Sequence, residues 1–490
     1  MTHPVIMVIA ILAILLSLHL FIIVWLLWQH RHTKHITAQQ NHNYLVVYAS
    51  QSGQAESWAK HSAAQLNLIA DQVAVMDIQE LTMADLMQHQ RILWVVSTYG
   101  EGDAPDDAQH FVHKILNQSL DLSHLSVAIL ALGDKRYSDF CQFGLDLKDW
   151  LSQQKANFLF PIVCVDQLNG QDLEQWLTGL EHLTANKIVG LQNQNQQFQC
   201  KLAHRQCLNQ GSVGEAIFKI QLVAKQEVTW SSGDILEIQC ENSSADIQNF
   251  LASHQQGDAV HLVAELRSLN LRQLPIRHEQ SFEQWLTMFE VLPKREYSIA
   301  SLSEQGIIEL VVRQQQTATG LGIGSGWLTV GLQQDQMFQA SIRSNPSFHL
   351  AETAQPLILI GNGTGIAGLV AHLRQREQWG NQQNWLVFGE RQQQFDHLYQ
   401  AEIQYWQQHG FLQYVDYAFS RDQVEKFYVQ DCLRQQAIRL QQWIEQGAAI
   451  YVCGSLKGMA SGVDQVLKDI LGHEQVEQLK REQRYQRDVY

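Results

Sequence analysis

Four short apolar runs recur along the first third of the chain: YLVVYA (44–49), RILWVVS (91–97), LSVAILAL (125–132) and FLFPIVC (158–164). Each leads into a loop and then an amphipathic stretch. Apolar strands of this kind alternating with helical periodicity predict a doubly wound α/β domain built on a parallel sheet. A polar run, NQNQQFQ (193–199), then predicts a linker. From about 200 to 350 the pattern changes to short strands bounded by turn residues, among them GDILEIQ (233–239), REYSIAS (295–301) and IIELVVR (307–313). These predict a small antiparallel barrel. From PLILIGNGTG (356–365) strand–helix alternation returns and continues to the C-terminus as a second parallel sheet.

Ahead of these domains lies Val5 to Trp28, a stretch of 24 residues without a formal charge. At ~1.5 Å rise per residue such a helix covers the ~30 Å hydrocarbon core, so a transmembrane anchor is expected. No Lys or Arg precedes it, whereas Arg31 and Lys34 follow. The positive-inside bias then predicts a single-pass protein of the cytoplasmic (inner) membrane, with its soluble domains in the cytoplasm. The expected boundaries are an anchor at 1–28, a linker at 29–43, the first α/β domain at 44–185, a linker at 186–200, the barrel at 201–350 and the last α/β domain at 351–490.

A net charge of −15 argues against a nucleic-acid partner. The seven cysteines include no CxxC pair, which points away from a disulfide framework or a zinc site, and no metal is expected. Residues 44–185 hold 18 Asp and Glu against 7 Lys and Arg, so −11 of the charge sits on the first α/β domain. That balance suits either a generic soluble surface or an acidic face that steers a basic redox partner.

Three loops of the first domain carry candidate chemistry. Ser50-Gln51-Ser52-Gly53-Gln54-Ala55 follows the first strand and opens a helix, offering hydroxyl and backbone N–H donors to an anion. No Lys follows, so a monophosphate suits it better than a triphosphate. Ser97-Thr98-Tyr99-Gly100-Glu101-Gly102 and Leu132-Gly133-Asp134, with Tyr137 and Phe140, come after later strands of the same sheet. Ligands of such sheets bind beyond the carboxyl ends of the strands, where Tyr99 and Tyr137 can sandwich a flat ring. SQSGxAE, STYGEGDAP and LGDxxY, in that order, resemble the flavodoxin-like FMN domain of the diflavin reductase family, with Gln54 standing where the family usually has Thr.

The remaining motifs extend the resemblance to roughly residues 44–490. Arg295-Glu296-Tyr297-Ser298, followed by Gly324 and Ser325, is similar to the FAD site of ferredoxin–NADP reductases. There the Arg pairs with the pyrophosphate, the Tyr stacks on the flavin, the Ser lies near N5, and the Gly/Ser loop supplies backbone donors. Gly363, Thr364 and Gly365 resemble the NADP pyrophosphate loop, although Gly368-Leu369 replaces the usual Pro-Phe. A true NAD fingerprint would need an acid about 20 residues on, and 381–384 read NQQN. Ser420, Arg421, Lys426, Tyr428 and Gln430 match the family's 2′-phosphate segment, which implies NADPH. Cys453 matches the Cys beside the nicotinamide. The ending RYQRDVY matches the tail in which Asp488 is catalytic and an aromatic ring, here Tyr490, covers FAD.

The implied architecture is a transmembrane helix, a flavodoxin-like domain, an antiparallel FAD barrel and a ferredoxin–NADP reductase-like nucleotide domain. The implied activity is that of an NADPH–hemoprotein reductase, a diflavin oxidoreductase passing electrons from NADPH to FAD to FMN, with Ser298, Cys453, Asp488 and Tyr490 as catalytic residues. Its acceptor would be a haem or iron protein at the membrane. The alternatives are a flavoprotein component of sulfite reductase, which RYQRDVY, NWLVFG and YVQD resemble, a ferric-siderophore reduction system, or a flavin module that no longer oxidises NADPH. In the family a helical connecting domain of a hundred or so residues interrupts the barrel. Here only Ile247 to Pro293 is available for it.

Overall fold

The computed structural model describes residues 44–490 except 51–52, 71–72, 100–101, 136–138, 167–169, 189–196, 258, 319 and 352–353. The apolar run at 5–28 therefore lies outside the described residues. The chain divides into two compact units, the first ending at Leu191 and leaving out 51–53, and the second holding Gln192–Tyr490.

The first unit is a parallel sheet of β1 (Tyr44–Ala49), β2 (Val73–Asp77), β3 (Arg91–Ser97), β4 (Ser126–Gly133), β5 (Asn157–Phe158) and β6 (Val163–Asp166), in the order 2-1-3-4-5 with β6 also on β4. Its central strands are continuous apolar runs between their ends because both faces are covered. Leu45, Val47, Ile92 and Trp94 pack on one side against Phe111 and Trp150, whereas Val46, Leu93 and Val95 pack on the other against Trp58 and Trp176. The run at 158–164 is two strands rather than one. Pro161 sits between β5 and β6 and has no N–H to give a ladder.

The second unit begins with β7 (Gln197–Cys207), which starts inside the polar run read as a linker. Phe198, Cys200 and Leu202 are buried while their neighbours face outward, the period-2 signature of a half-buried strand. With β8 (Ile217–Ala224), β9 (Ile235–Ile238), β10 (Arg295–Ser298), β11 (Ile308–Arg313) and, after the two-residue pair β12 (Gln316–Thr317) and β13 (Gly320–Leu321), β14 (Met337–Arg343), it forms an antiparallel sheet in the order 10-9-14-7-8-11. An Ile299–Leu310 bridge joins its two edges and closes the barrel. Between β9 and β10 lies a small helical insert with its own core of Ile247, Phe250, Leu262, Phe282, Trp285 and Phe289. This is all that stands at the place of a connecting domain.

The last sheet is parallel, in the order 17-16-15-18-19: β15 (Leu357–Asn362), β16 (Asn384–Glu390), β17 (Tyr414–Phe419), β18 (Ala449–Gly454) and β19 (Tyr485–Val489). The C-terminus is thus a sheet strand and not a free tail. Barrel and last sheet share one core, in which Ile217, Ala300, Val311 and Phe348 pack with Leu357, Leu369 and Phe388. Arg374 reinforces the junction: it reaches Ala300 O at 2.9 Å, Glu309 of β11 at 3.1 Å and Glu402 at 2.7 Å.

Candidate active site

In the first unit the strand order reverses between β1 and β3, the switch point at which such sheets open a crevice. Ser50 leaves β1 there. Its hydroxyl accepts from Ala55 N at 3.1 Å, and its own N donates to Asp107 Oδ2 at 2.9 Å. Gly53 has φ +76 and Gln54 begins the helix Gln54–Leu66. Ser97 Oγ donates to Ala49 O at 3.0 Å, and Thr98 N to Leu132 O at 2.8 Å, tying the three strand ends together. Tyr99 and Asp103 exchange both backbone hydrogen bonds, at 2.8 and 2.9 Å, which makes a tight loop with the Tyr99 ring half-buried.

Glycine is required where these loops touch. Gly102 has φ +116, and a Cβ there would lie 2.7 Å from Asp139 Cβ. A Cβ on Gly133 would lie 2.8 Å from Cys141 Sγ and 3.1 Å from the Phe140 ring. Asp134 follows at the end of β4. Gln51, Ser52, Gly100 and Tyr137 lie outside the described residues.

In the barrel, Arg295 and Tyr297 fall on one face of β10, with Glu296 and Ser298 on the other. The helical turn Ile323–Gly326 closes over the first face. A Cβ on Gly324 would stand 2.6 Å from both Arg295 Cγ and Tyr297 Oη, so only backbone can come this close. Ser325 Oγ accepts from Gln315 N at 3.1 Å.

The second face of β10 meets the last sheet. Parallel register sets Gly361 beside Cys453 and Cys453 beside Asp488. Ser298 Oγ donates to Asp488 Oδ2 at 2.9 Å, and the Cys453 thiol donates to the same oxygen at 3.8 Å. Burial raises the Asp488 carboxyl above the ordinary value, while the Ser298 hydrogen bond and the Arg343 guanidinium pull it back. Burial, and then the adjacent carboxylate, push the Cys453 thiol well up, so it stays a neutral donor. Sequence patterns separated by 190 residues thus meet in one hydrogen-bonded group.

A cavity of about 610 Å³ opens beside it, lined by Gly363 and Thr364 at the end of β15, by Ser420, Arg421, Tyr428 and Gln430, and by Tyr490. Gly363 has φ +58, and a Cβ on Gly365 would stand 2.1 Å from Cys453 O, so the loop must be glycine to lie against β18. The Tyr490 hydroxyl is 3.1 Å from Thr364 Oγ1, and its backbone is pinned by Gly454 O and Leu456 N, each at 3.0 Å. Lys426 is exposed and does not line the cavity. The lining also includes residues that no motif singled out, among them Arg313 and its ion-pair partner Glu390, while Asn362 of the GNGTG run accepts at Oδ1 from Ser455 N at 2.9 Å.

Residues 46–177 match the family described as Flavodoxin, and residues 359–465 match the Oxidoreductase NAD-binding domain. The sulfite reductase (NADPH) flavoprotein alpha-component of Neisseria meningitidis serogroup B is 29% identical over 548 residues, covering 93% of this chain and 91% of that protein. Its counterpart in Vibrio cholerae serotype O1 is 28% identical over 538 residues, covering 91% and 87%. Together these support a member of the diflavin reductase family. This diflavin reductase is an NADPH-dependent oxidoreductase whose cofactors are FMN, FAD and NADPH.

The residues present fit those groups. Glycines that a Cβ would jam stand at 102, 133, 324 and 365, and Gln430 Oε1 in the cavity is buried without a hydrogen-bond partner among the described residues, an acceptor left for a ligand. The expected membrane localisation is corrected. No helix among the described residues is long and apolar enough to cross a membrane, and proteins matching nine-tenths of the chain are sulfite reductase flavoproteins. The expected hemoprotein-reductase type gives way on the same comparison.

Proposed function

We propose that this diflavin reductase is the NADPH-oxidising flavoprotein component of a sulfite reductase-type system, delivering electrons to a separate haem or iron protein. When bound, NADPH supplies a hydride, and the two flavins divide that pair into single electrons. The observation that carries the reading is the Ser298–Asp488–Cys453 group beside the nucleotide cavity. A chain that only relayed electrons between flavins would have no use for it.

Each residue has a task within this reading. Ser298 and Cys453 both donate to the Asp488 carboxylate, which fixes their orientation where the nicotinamide must lie. Thr364 and the backbone of Gly363 and Gly365 hold the nucleotide pyrophosphate, while Ser420, Arg421, Tyr428 and Gln430 hold its 2′-phosphate end. Arg295, Ser325 and the Gly324 backbone hold the FAD pyrophosphate, and Tyr297 stacks on the flavin. Tyr490 occupies the nicotinamide approach until displaced. In the first unit Ser50 and the 53–55 backbone take the FMN phosphate, with Tyr99 against the ring.

The acceptor is argued from two facts. The relatives are named alpha-components, a name that implies a second component, and −11 of the charge lies on residues 44–185, an acidic surface suited to a basic partner. The test mixes the purified chain with a sulfite reductase haem component and follows sulfite-dependent NADPH oxidation. Turnover that needs both proteins supports the assignment. NADPH–ferricyanide activity without any sulfite-dependent turnover would leave the reductase intact and remove its proposed acceptor.

A further inference from the structure

The barrel face that meets Asp488 carries a second charged group. Antiparallel register pairs Ser298 with Ile235, and Ile235 with Arg343. Cross-strand partners share a face, so Ser298 and Arg343 stand two strands apart on the same side of the sheet. Glu296, two residues before Ser298, lies on that side too. Arg343 is buried, and its Nε and Nη2 donate to the two carboxylate oxygens of Glu296 at 3.1 and 3.0 Å. This parallel fork fixes the plane of the guanidinium. Its remaining nitrogen, Nη1, is buried with no hydrogen-bond partner among the described residues.

A buried guanidinium with one unmade donor is costly, and a salt bridge alone would not need it here. Its neighbours suggest why it persists. The groups that act on Asp488 are Arg343 and Glu296 from the barrel, Ser298 from β10 and Cys453 from β18. Arg343 also feels Glu237, which is occupied by Ser341 Oγ at 2.8 Å and Lys294 at 3.8 Å. Asp488 receives hydrogen bonds from two donors, and only an ionised carboxylate accepts both without needing an acceptor of its own. Asp488 is half-buried, and there a nearby cation favours that ionised form.

Resting on the reading of Ser298, Asp488 and Cys453 as the hydride-transfer site, we infer that Arg343 is a positioning residue for Asp488. Clamped by Glu296, it supplies the positive charge that keeps the carboxylate accepting from both Ser298 and Cys453. Glu296 has the opposite influence, because it offsets part of that charge.

The test uses the full, flavin-loaded chain and the variants Arg343→Met, Arg343→Lys and Glu296→Gln. The ionisation of Asp488 is read as the infrared carbonyl stretch of its protonated form, identified by its loss in Asp488→Asn, and separately as the acid limb of NADPH–ferricyanide turnover. Arg343→Met moves both up by about one pH unit, the effect of removing a cation that favours the ionised form. Arg343→Lys restores most of the shift, and Glu296→Gln moves both down. A merely structural arginine would give neither the opposite signs nor the rescue. An Asp488 band titrating at the wild-type pH in Glu296→Gln and Arg343→Met overturns the inference. Should Arg343→Met not fold, the sign of the Glu296→Gln shift decides alone. A wild type that does not oxidise NADPH would refute the proposed function, while the infrared titration would still judge Arg343.

Discussion

The hydroxyl of Tyr490 lies 3.1 Å from Oγ1 of Thr364 on the Gly363–Gly365 loop. The ring is therefore held across the nucleotide cavity by a hydrogen bond at its tip and by two backbone bonds at its base, while about half of its surface remains exposed. Displacing it breaks one neutral hydrogen bond and its packing, together about 1–3 kcal/mol. Tyr490→Ala removes that competition. NADH, which lacks the 2′-phosphate contacts, gains most, and its kcat/KM is expected to rise at least severalfold while NADP⁺ release slows. Steady-state kinetics with both nicotinamides checks this; an unchanged NADH efficiency would mean that the ring does not guard the site.

Nucleotide preference is expected to rest on Arg421 and much less on Lys426. Both side chains are exposed, but Arg421 lines the cavity next to Ser420, whereas Lys426 lies outside the lining. A charge-assisted contact to phosphate contributes about 1.5–3 kcal/mol, and solvent exposure trims it. Arg421→Ala is expected to reduce the preference for NADPH over NADH by about tenfold to a hundredfold. Lys426→Ala should change it less than threefold. Equal effects of the two substitutions would place the 2′-phosphate nearer the 422–427 loop.

What could be read from the chain before its structure depended on how local each signal was. The buried strands β1, β3, β4 and β15 announce themselves as unbroken apolar runs because both faces of a parallel sheet are covered. The edge strand β2 (VAVMD) is half-exposed at most positions and carries no such run. β7 was hidden by its glutamines, although Phe198, Cys200 and Leu202 alternate correctly. The loops at the strand ends were legible because glycine and hydroxyl residues crowd into short motifs. Arg343 with Glu296, and Arg313 with Glu390, were not: each pair is brought together across dozens of residues by sheet register, which no local pattern records. Even Asp488 and Tyr490 were legible only by resemblance, since a chain end is ordinarily expected to be loose.

The FMN site is expected to be lost separately from the FAD site. Gly102 combines φ +116 with a Cβ position 2.7 Å from Asp139 Cβ, so any side chain must move one flavin loop off the other. Gly102→Val should release FMN on purification while FAD and NADPH–ferricyanide activity remain, because the residues proposed for FAD and the nucleotide belong to the second unit. Flavin extraction and chromatography measure the two separately. Loss of FAD in place of FMN would reverse the assignment of loops to flavins.

Arg374 offers a stability prediction with a definite pH dependence. Its guanidinium and Glu309 are both largely buried, and Tyr399 and Gln221 also donate to that carboxylate, at 2.8 and 2.9 Å. Burial alone would raise the Glu309 carboxyl, but Arg374 and the two hydrogen bonds hold it below the ordinary glutamate value. A depressed folded value means that the stabilisation is present above the unfolded value of about 4.3 and is lost as pH falls through the lower folded one. Arg374→Met strips the cation and leaves a buried, uncompensated carboxylate, at a cost of about 3–5 kcal/mol near neutral pH. In the variant, burial dominates and Glu309 takes up a proton more readily than in the unfolded chain. The gap between variant and wild type should therefore narrow as pH is lowered from about 7 toward about 4.5, where protonation relieves the buried charge. Urea unfolding of both proteins at the two pH values measures the gap. A difference that stays constant, or widens in acid, would show that Arg374 stabilises the barrel–sheet junction by packing and not by charge.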